Sequence, residues 1–125
     1  MNDPLWMKRH WILNDAGEPE PVDDVLDWAR WFEQSQRDGT RVIAHDRDES
    51  PGAPDVLVST VFLGLDHNYH LSGPPILWET MILGGPLDGY QERYASRELA
   101  LVGHAKACAL MQRARKKILT RRKGQ

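Results

Sequence analysis

The sequence predicts an α+β fold, in which an antiparallel sheet of about four strands carries two helices largely on one of its faces. Two observations support this prediction. Runs with strand-like alternation occupy the middle of the chain, and turns rich in glycine and proline separate them. A segment with helical periodicity lies on each side of these runs. The predicted order is therefore strand, helix, several strands and helix.

The first elements are predicted to be a half-exposed strand and an amphipathic helix. Residues 6–13 indicate the strand, and residues 14–21 indicate a turn because they contain glycine and proline. Residues 23–36 carry apolar side chains at helical spacing, with aspartates in the first turns and Gly39 just beyond the end. Carboxylates at the start and glycine after the end are typical of a capped helix.

The sheet is predicted from four segments in the middle of the chain. Residues 41–47 indicate a short strand, and residues 55–65, apolar on both faces, indicate a central strand covered on both sides. Residues 76–83 are expected to be its antiparallel partner, and residues 90–94 a short edge strand. Within the partner strand, alternation places the carboxylate of Glu79 among apolar neighbours.

The last element is predicted to be a long helix that Ser96 caps and that ends near Lys117. Its alanine-rich middle would allow it to lie close to the sheet, with an inward face formed by Leu101, Val102, Ala105 and Ala109. We therefore expect a single α+β domain over residues 1–112, followed by a basic helix end or tail over residues 113–125.

Chain length and cysteine content indicate the class of protein. The 125 residues fit one domain that needs no disulfide bridge. Cys108 is the only cysteine, and its surroundings indicate a small buried hydrophobe in a reducing compartment. No apolar run approaches the roughly 20 residues of a membrane span. We expect a cytoplasmic protein with no membrane partner.

The charge is distributed unevenly along the chain. All acidic residues lie within residues 1–112, whereas residues 113–123 contain arginines and lysines and no acid. This basic segment is open to three interpretations. It could be a solvated helix end that offsets the helix dipole, a surface for nucleic-acid phosphates, or a contact for the acidic body of another subunit.

Titratable and aromatic residues cluster where the chain reverses between its two most apolar runs, and together with residues of the neighbouring sheet edge they suggest a ligand site. Flat rings and a bidentate cation of this kind can hold a nucleotide base and its phosphate. The predicted ligand-binding residues are His67, Tyr69, Trp78, Glu79, Arg93 and Tyr94. Ordinary core packing is the alternative, above all for Trp78.

The same loop could form two other kinds of site. His67 and His70 have H-x-x-H spacing and could bind a transition metal together with Asp66 or Glu79. The same four residues could instead act as acid and base in a hydrolase. A histidine at such a junction more commonly bonds to a carbonyl or a neighbouring carboxylate. His104, on the last helix, is expected to be a satisfied, partly buried histidine.

The chain contains several short sequence motifs in a fixed order, and a resemblance to a known group of proteins rests on them: VSTVFLGLDH (58–67), GPP (73–75), WETM (78–81), ERY (92–94) and GHA (103–105). Over residues 41–107 the chain is similar to a widespread group of small bacteriophage and prophage proteins. The resemblance implies a virus-encoded accessory protein in the cytoplasm of a bacterial host. Small phage proteins often act by binding a host protein or a nucleotide signal of antiviral defence.

The leading hypothesis is a non-enzymatic binding module that holds a small molecule, possibly a nucleotide in counter-defence, and needs no cofactor. Homo-oligomerisation is expected, with Trp31 as a candidate for an exposed or interfacial ring. The alternatives are the small hydrolase, and a nucleic-acid-associated protein that binds through residues 113–125. The chain has no glycine-rich phosphate loop, nucleophile elbow or zinc-type cysteine spacing, which disfavours the common motif-bearing enzymes.

Overall fold

The computed structural model describes residues 8–70 and 72–123. It confirms the α+β class, with elements in the order β1 (Trp11–Leu13), β2 (Pro19–Pro21), α1 (Val25–Asp38), β3 (Val42–Asp48), β4 (Val56–Phe62), β5 (Trp78–Leu83), β6 (Gln91–Tyr94) and α2 (Arg97–Lys123). The start of the first predicted strand and the last two residues of the basic segment lie outside the described residues.

The main sheet is antiparallel, and its strand order is β3-β4-β5-β6. Each strand pairs with its neighbour in sequence, although a long loop over residues 63–77 joins β4 to β5. β1 and β2 form a separate hairpin. The predicted turn over residues 14–21 was therefore wrong for residues 19–21, which form β2. Proline is tolerated there because a strand with one partner needs ladder hydrogen bonds on one side only.

α1 begins and ends at the predicted capping residues. Oδ1 of Asp24 accepts the backbone N–H of Leu26 at 2.8 Å, and Gly39 adopts a φ of 72°. Trp31 is half-buried and meets the ring of Phe62 edge-on, with 5.9 Å between ring centroids. Trp31 is therefore not a fully exposed ring, because it connects α1 to the core. Its role at an interface stays a prediction.

The core lies between the sheet and α2. Cross-strand pairs of β4 and β5 that face the helix are Val58 with Ile82, Thr60 with Thr80, and Phe62 with Trp78. The helix turns buried residues toward them: Ala100, Gly103, His104, Ala107 and Met111. The predicted inward face was wrong, since its four residues are exposed: Leu101, Val102, Ala105 and Ala109. Apolar residues surround this helix instead of forming a single stripe, so hydrophobicity alone does not identify the inner face.

The opposite face of the sheet is less well covered. Leu57 and Val61 of β4 are only half-buried there, and Leu83 of β5 is exposed. The prediction that the central strand is covered on both sides was therefore wrong for this face. Antiparallel sheets commonly pack one face on the core and leave the other in contact with solvent.

α2 continues past its predicted end near Lys117 and reaches Lys123. The predicted boundary between residues 112 and 113 lies within this helix. Arg115 is buried, with its Nε 3.0 Å from Oδ2 of Asp48, and its guanidinium donates to the carbonyls of Ser50 and Pro54. This cation anchors the helix to the loop after β3 and is not a free charge. Across the described ranges, neither helix is long and apolar enough to cross a membrane.

Candidate functional site

The six predicted ligand-binding residues form three pairs: His67 with Tyr69, Trp78 with Tyr94, and Glu79 with Arg93. The last two pairs are cross-strand neighbours in β5 and β6, one residue apart. Because successive side chains of a strand point to opposite faces, the Trp78 pair faces α2 and the Glu79 pair faces away from it. The sheet itself therefore separates two parts of the predicted site.

Glu79 is satisfied within the sheet. Its Oε2 accepts a hydrogen bond from Nε of Arg93 at 2.9 Å and from Nε2 of Gln91 at 2.5 Å. The carboxylate is buried, which makes these charge-assisted bonds necessary. The unusual acid of the sequence thus has a structural role, and Arg93 binds it through Nε.

The loop after β4 is held by its own polar groups. Oδ1 of buried Asp66 accepts the backbone N–H groups of Asn68 at 2.7 Å and Ile76 at 2.9 Å. Nδ1 of His67 donates to the carbonyl of Leu65 at 2.9 Å, and His70 is exposed. Asp66 therefore closes the loop in the manner of an Asx turn. The structure does not bring the three residues of the predicted metal alternative into one ligand group.

A groove of about 440 Å³ lies between β6 and α2, and we call it the β6–α2 groove. Its lining includes Tyr90, Glu92, Tyr94, Leu99, Val102 and Lys106. The helical residues follow one another at spacings of three and four, so they form one stripe along the flank of α2. Leu99 is 57% exposed and Val102 is 69% exposed, so the stripe presents apolar side chains to solvent.

Gly103 determines how closely α2 approaches this groove. A Cβ atom at this position would lie 2.5 Å from Cε1 of Tyr94 and closer still to Cζ and Oη. The absence of a side chain therefore allows the Tyr94 ring to pass beneath the helix. Burial raises the pKa of Tyr94 above its usual value. Its ring forms a rigid wall of the groove.

A second cluster crosses the interface between the sheet and α2. Nε2 of His104 lies 2.7 Å from Oδ2 of Asp46, and its Nδ1 lies 2.7 Å from Oγ1 of Thr60. Oγ1 of Thr60 lies 2.5 Å from Oγ1 of Thr80. Cys108 lies one helical turn after His104, and its Sγ is 3.5 Å from Oδ2 of Asp46. The expectation of a satisfied, buried His104 is confirmed.

The electrostatics of this cluster follow from its hydrogen bonds. The bond from His104 holds the pKa of Asp46 below its usual value. Burial raises the pKa of the Cys108 thiol to about 11, and the Asp46 carboxylate adds to this shift. Cys108 is half-buried and bonded to a carboxylate, so the expected buried apolar cysteine was only partly right.

Asp46, His104 and Thr60 are linked in the same order as the acid, base and nucleophile of a catalytic triad. However, the exposed residue is the aspartate, and the residue in the nucleophile position is buried. Thr60 is 0% exposed, whereas the side chain of Asp46 is 63% exposed. A substrate would reach the carboxylate and not the hydroxyl, which is the opposite of what nucleophilic catalysis needs. These residues therefore do not form a hydrolase triad.

Sequence reasoning missed Asp46 as a part of this cluster. The spacing of four between His104 and Cys108 already places those two residues on one face of the predicted helix. Asp46 lies 58 positions before His104 in sequence and reaches it only through the register of strand pairing. The hydrophobic periodicity of the sequence does not predict that register.

Comparisons with known proteins provide no relative: no protein-family profile, curated protein or solved structure matches this chain. The resemblance to phage and prophage proteins therefore stays a prediction from the sequence.

Proposed function

We propose that the protein is a non-enzymatic binding module that takes up an extended segment of a partner protein in the β6–α2 groove. The observation that carries this proposal is the position of the exposed Leu99 and Val102 directly beside an edge strand. Apolar side chains so placed can receive the side chains of a peptide whose backbone pairs with the strand.

β6 supplies the backbone part of this recognition. Among the described strands it pairs only with β5, so its outer side has no strand partner. The outer N–H and C=O groups of an edge strand are a template for an added strand. β6 has only four residues, and Glu92 and Arg93 occupy its centre. A short, charged edge limits indiscriminate pairing, so the apolar groove has to provide selectivity.

The charges of the groove favour a peptide over the nucleotide expected from the sequence. The guanidinium of Arg93 is bonded to Glu79 on the far face of the sheet. Lys106 and Arg93 are the cations of the groove lining, and Glu92 is its carboxylate. Because Arg93 already binds Glu79 and Glu92 would repel a phosphate, these charges suit a peptide that carries both signs better than a nucleotide.

The resemblance to phage and prophage proteins implies a biological setting for this binding module. The module would be a phage-encoded accessory protein in the cytoplasm of a bacterial host, and its partner would be a host protein. Binding without turnover is sufficient for such a role.

The test is selection of a displayed random-sequence peptide library on the immobilised full chain, followed by binding of a synthetic selected peptide. We expect enriched peptides with apolar residues at alternate positions, because these enter the groove from an added strand. Hydrogen exchange should slow at the backbone amides of residues 91–94. Val102→Glu should weaken binding at least tenfold, whereas Leu26→Glu, at an exposed leucine of α1, should leave it unchanged.

Three results would overturn the proposal. One is the absence of any enriched peptide, and another is equal binding to the Val102→Glu variant. The third is occupation of the groove by something else. A nucleotide that raises the Tm of the wild type but not of Val102→Glu would assign the groove to a small molecule. A dimer that Val102→Glu dissociates would assign it to a second copy of the chain.

A further inference from the structure

The cluster of Asp46, His104 and Cys108 has the composition and spacing of a metal site. Within the described ranges, it is the one group of three histidine, cysteine, aspartate or glutamate residues whose possible metal-binding atoms all lie within 4.8 Å of one another. We propose that these three side chains bind a divalent transition-metal ion of the zinc class. The proposal is independent of the β6–α2 groove.

The distances fit a tetrahedral ion. Zinc binds nitrogen, oxygen and sulfur at about 2.0–2.3 Å, which separates neighbouring ligand atoms by about 3.3–3.8 Å. Sγ of Cys108 already lies 3.5 Å from Oδ2 of Asp46, and Nε2 of His104 lies 2.7 Å from the same oxygen. A small rotation of the exposed Asp46 side chain therefore opens the space for the ion. His104 and Cys108 need little movement because both stand on α2, one turn apart.

The hydrogen bonds behind His104 suit a ligand. A neutral imidazole that donates from Nε2 to Asp46 accepts the Thr60 hydroxyl at Nδ1. When Nε2 binds a metal, Nδ1 carries the hydrogen and donates to Thr60, whose hydroxyl then donates to Thr80. Both hydroxyls can donate or accept, so the chain of bonds reverses when the hydrogens move and the heavy atoms keep their positions. A metal-bound histidine usually has such a second partner.

The ligand types identify the class of metal. A thiolate together with an imidazole and a carboxylate suits zinc or cobalt, whereas calcium and magnesium prefer oxygen ligands alone. One thiolate and one carboxylate balance the charge of a divalent ion. On binding, the Cys108 sulfur forms a bond to the metal and its proton leaves to solvent.

The position of the site allows an ion to enter. The three residues line a surface groove of about 410 Å³, together with Arg47, Ala105 and Gln112. With three protein ligands, a tetrahedral ion keeps a fourth position for water on the groove side. An open position of this kind is a feature of sites that bind a further ligand and not of closed structural sites.

Cobalt provides a specific test because the chain has one cysteine. Titration of the full chain with Co²⁺ should produce a thiolate-to-cobalt absorption band with one ion per chain, and one equivalent of Zn²⁺ should remove it. Cys108→Ser should abolish the band, and Asp46→Asn should weaken cobalt binding at least tenfold. The matched control is His67→Ala with His70→Ala, which should leave affinity and spectrum unchanged.

Both ligand variants alter groups near the surface, so circular dichroism and Tm without metal should match the wild type. The absence of a thiolate band in the wild type would overturn the proposal. The proposal would also fail if the Cys108→Ser or Asp46→Asn variant, folded as the wild type, kept the wild-type cobalt affinity. Loss of binding in the His67→Ala, His70→Ala control would assign the metal to the loop after β4 and refute the α2 site.

Discussion

Replacing Gly103 with alanine tests the close approach of α2 to β6. In an ordinary helix interior, alanine is more stable than glycine by about 1 kcal/mol. Here the new methyl group would lie 2.5 Å from Cε1 of Tyr94 and would overlap the end of the ring. Overpacking costs about 1–3 kcal/mol, and three contacts below 3.0 Å place this site in the upper part of that range. After the helical gain of about 1 kcal/mol is subtracted, we expect Gly103→Ala to lower the free energy of unfolding by about 1–2 kcal/mol.

The measurement is urea unfolding followed by tryptophan fluorescence, with Tm as a second readout. A loss of this size corresponds to a fall in Tm of roughly 4–8 °C for a domain of this length. The matched background is Tyr94→Ala, which removes the ring that the methyl group meets. In that background Gly103→Ala should stabilise the protein by about 0.5–1 kcal/mol, as in any helix. If alanine stabilises the chain even with Tyr94 present, the close approach described above is incorrect.

Two further predictions concern buried polar groups. Arg115→Met should lower the free energy of unfolding by about 1–3 kcal/mol, because the carbonyls of Ser50 and Pro54 lose their donors. The exposed Arg113→Met should change it by less than about 0.5 kcal/mol, and equal effects in urea unfolding would contradict the anchoring role of Arg115. Asp66→Ala should cost about 1–3 kcal/mol, because two backbone N–H groups lose their acceptor. A wild-type midpoint for Asp66→Ala would show that the loop does not depend on this carboxylate.

The order of the main elements was predictable because it depends on local signals. Alternating apolar residues between glycine and proline turns indicated the four strands of the main sheet, and Asp24 and Gly39 cap α1 near the predicted ends. β2 escaped prediction because its two prolines are turn signals in sequence, and only pairing with β1 makes them a strand. The local propensity of residues 19–21 carries no information about their pairing with β1.

The candidate sites were less predictable because they depend on register and on helix rotation. Trp78 and Glu79 are adjacent in sequence, which suggested a shared site, yet the strand sends them to opposite faces of the sheet. Asp46 belongs to a site only because β3 pairs with β4 in a register that carries it beneath His104. A register shift of one residue would move the carboxylate to the other face.

The wrong prediction for the inner face of α2 is itself informative about function. A helix that only covers a sheet turns its apolar side chains inward and its polar ones outward. α2 buries His104 and Arg115 and exposes Leu99 and Val102. This arrangement buries polar side chains on the inner face and leaves apolar side chains exposed on the outer face. Positions where a sequence departs from the pattern that its own fold favours are often functional. Under the two proposals above, the inner histidine would serve as a metal ligand and the outer stripe would receive a peptide. Cys108→Ser should therefore abolish the cobalt band and leave peptide binding intact, whereas Val102→Glu should weaken peptide binding at least tenfold and leave the cobalt band intact.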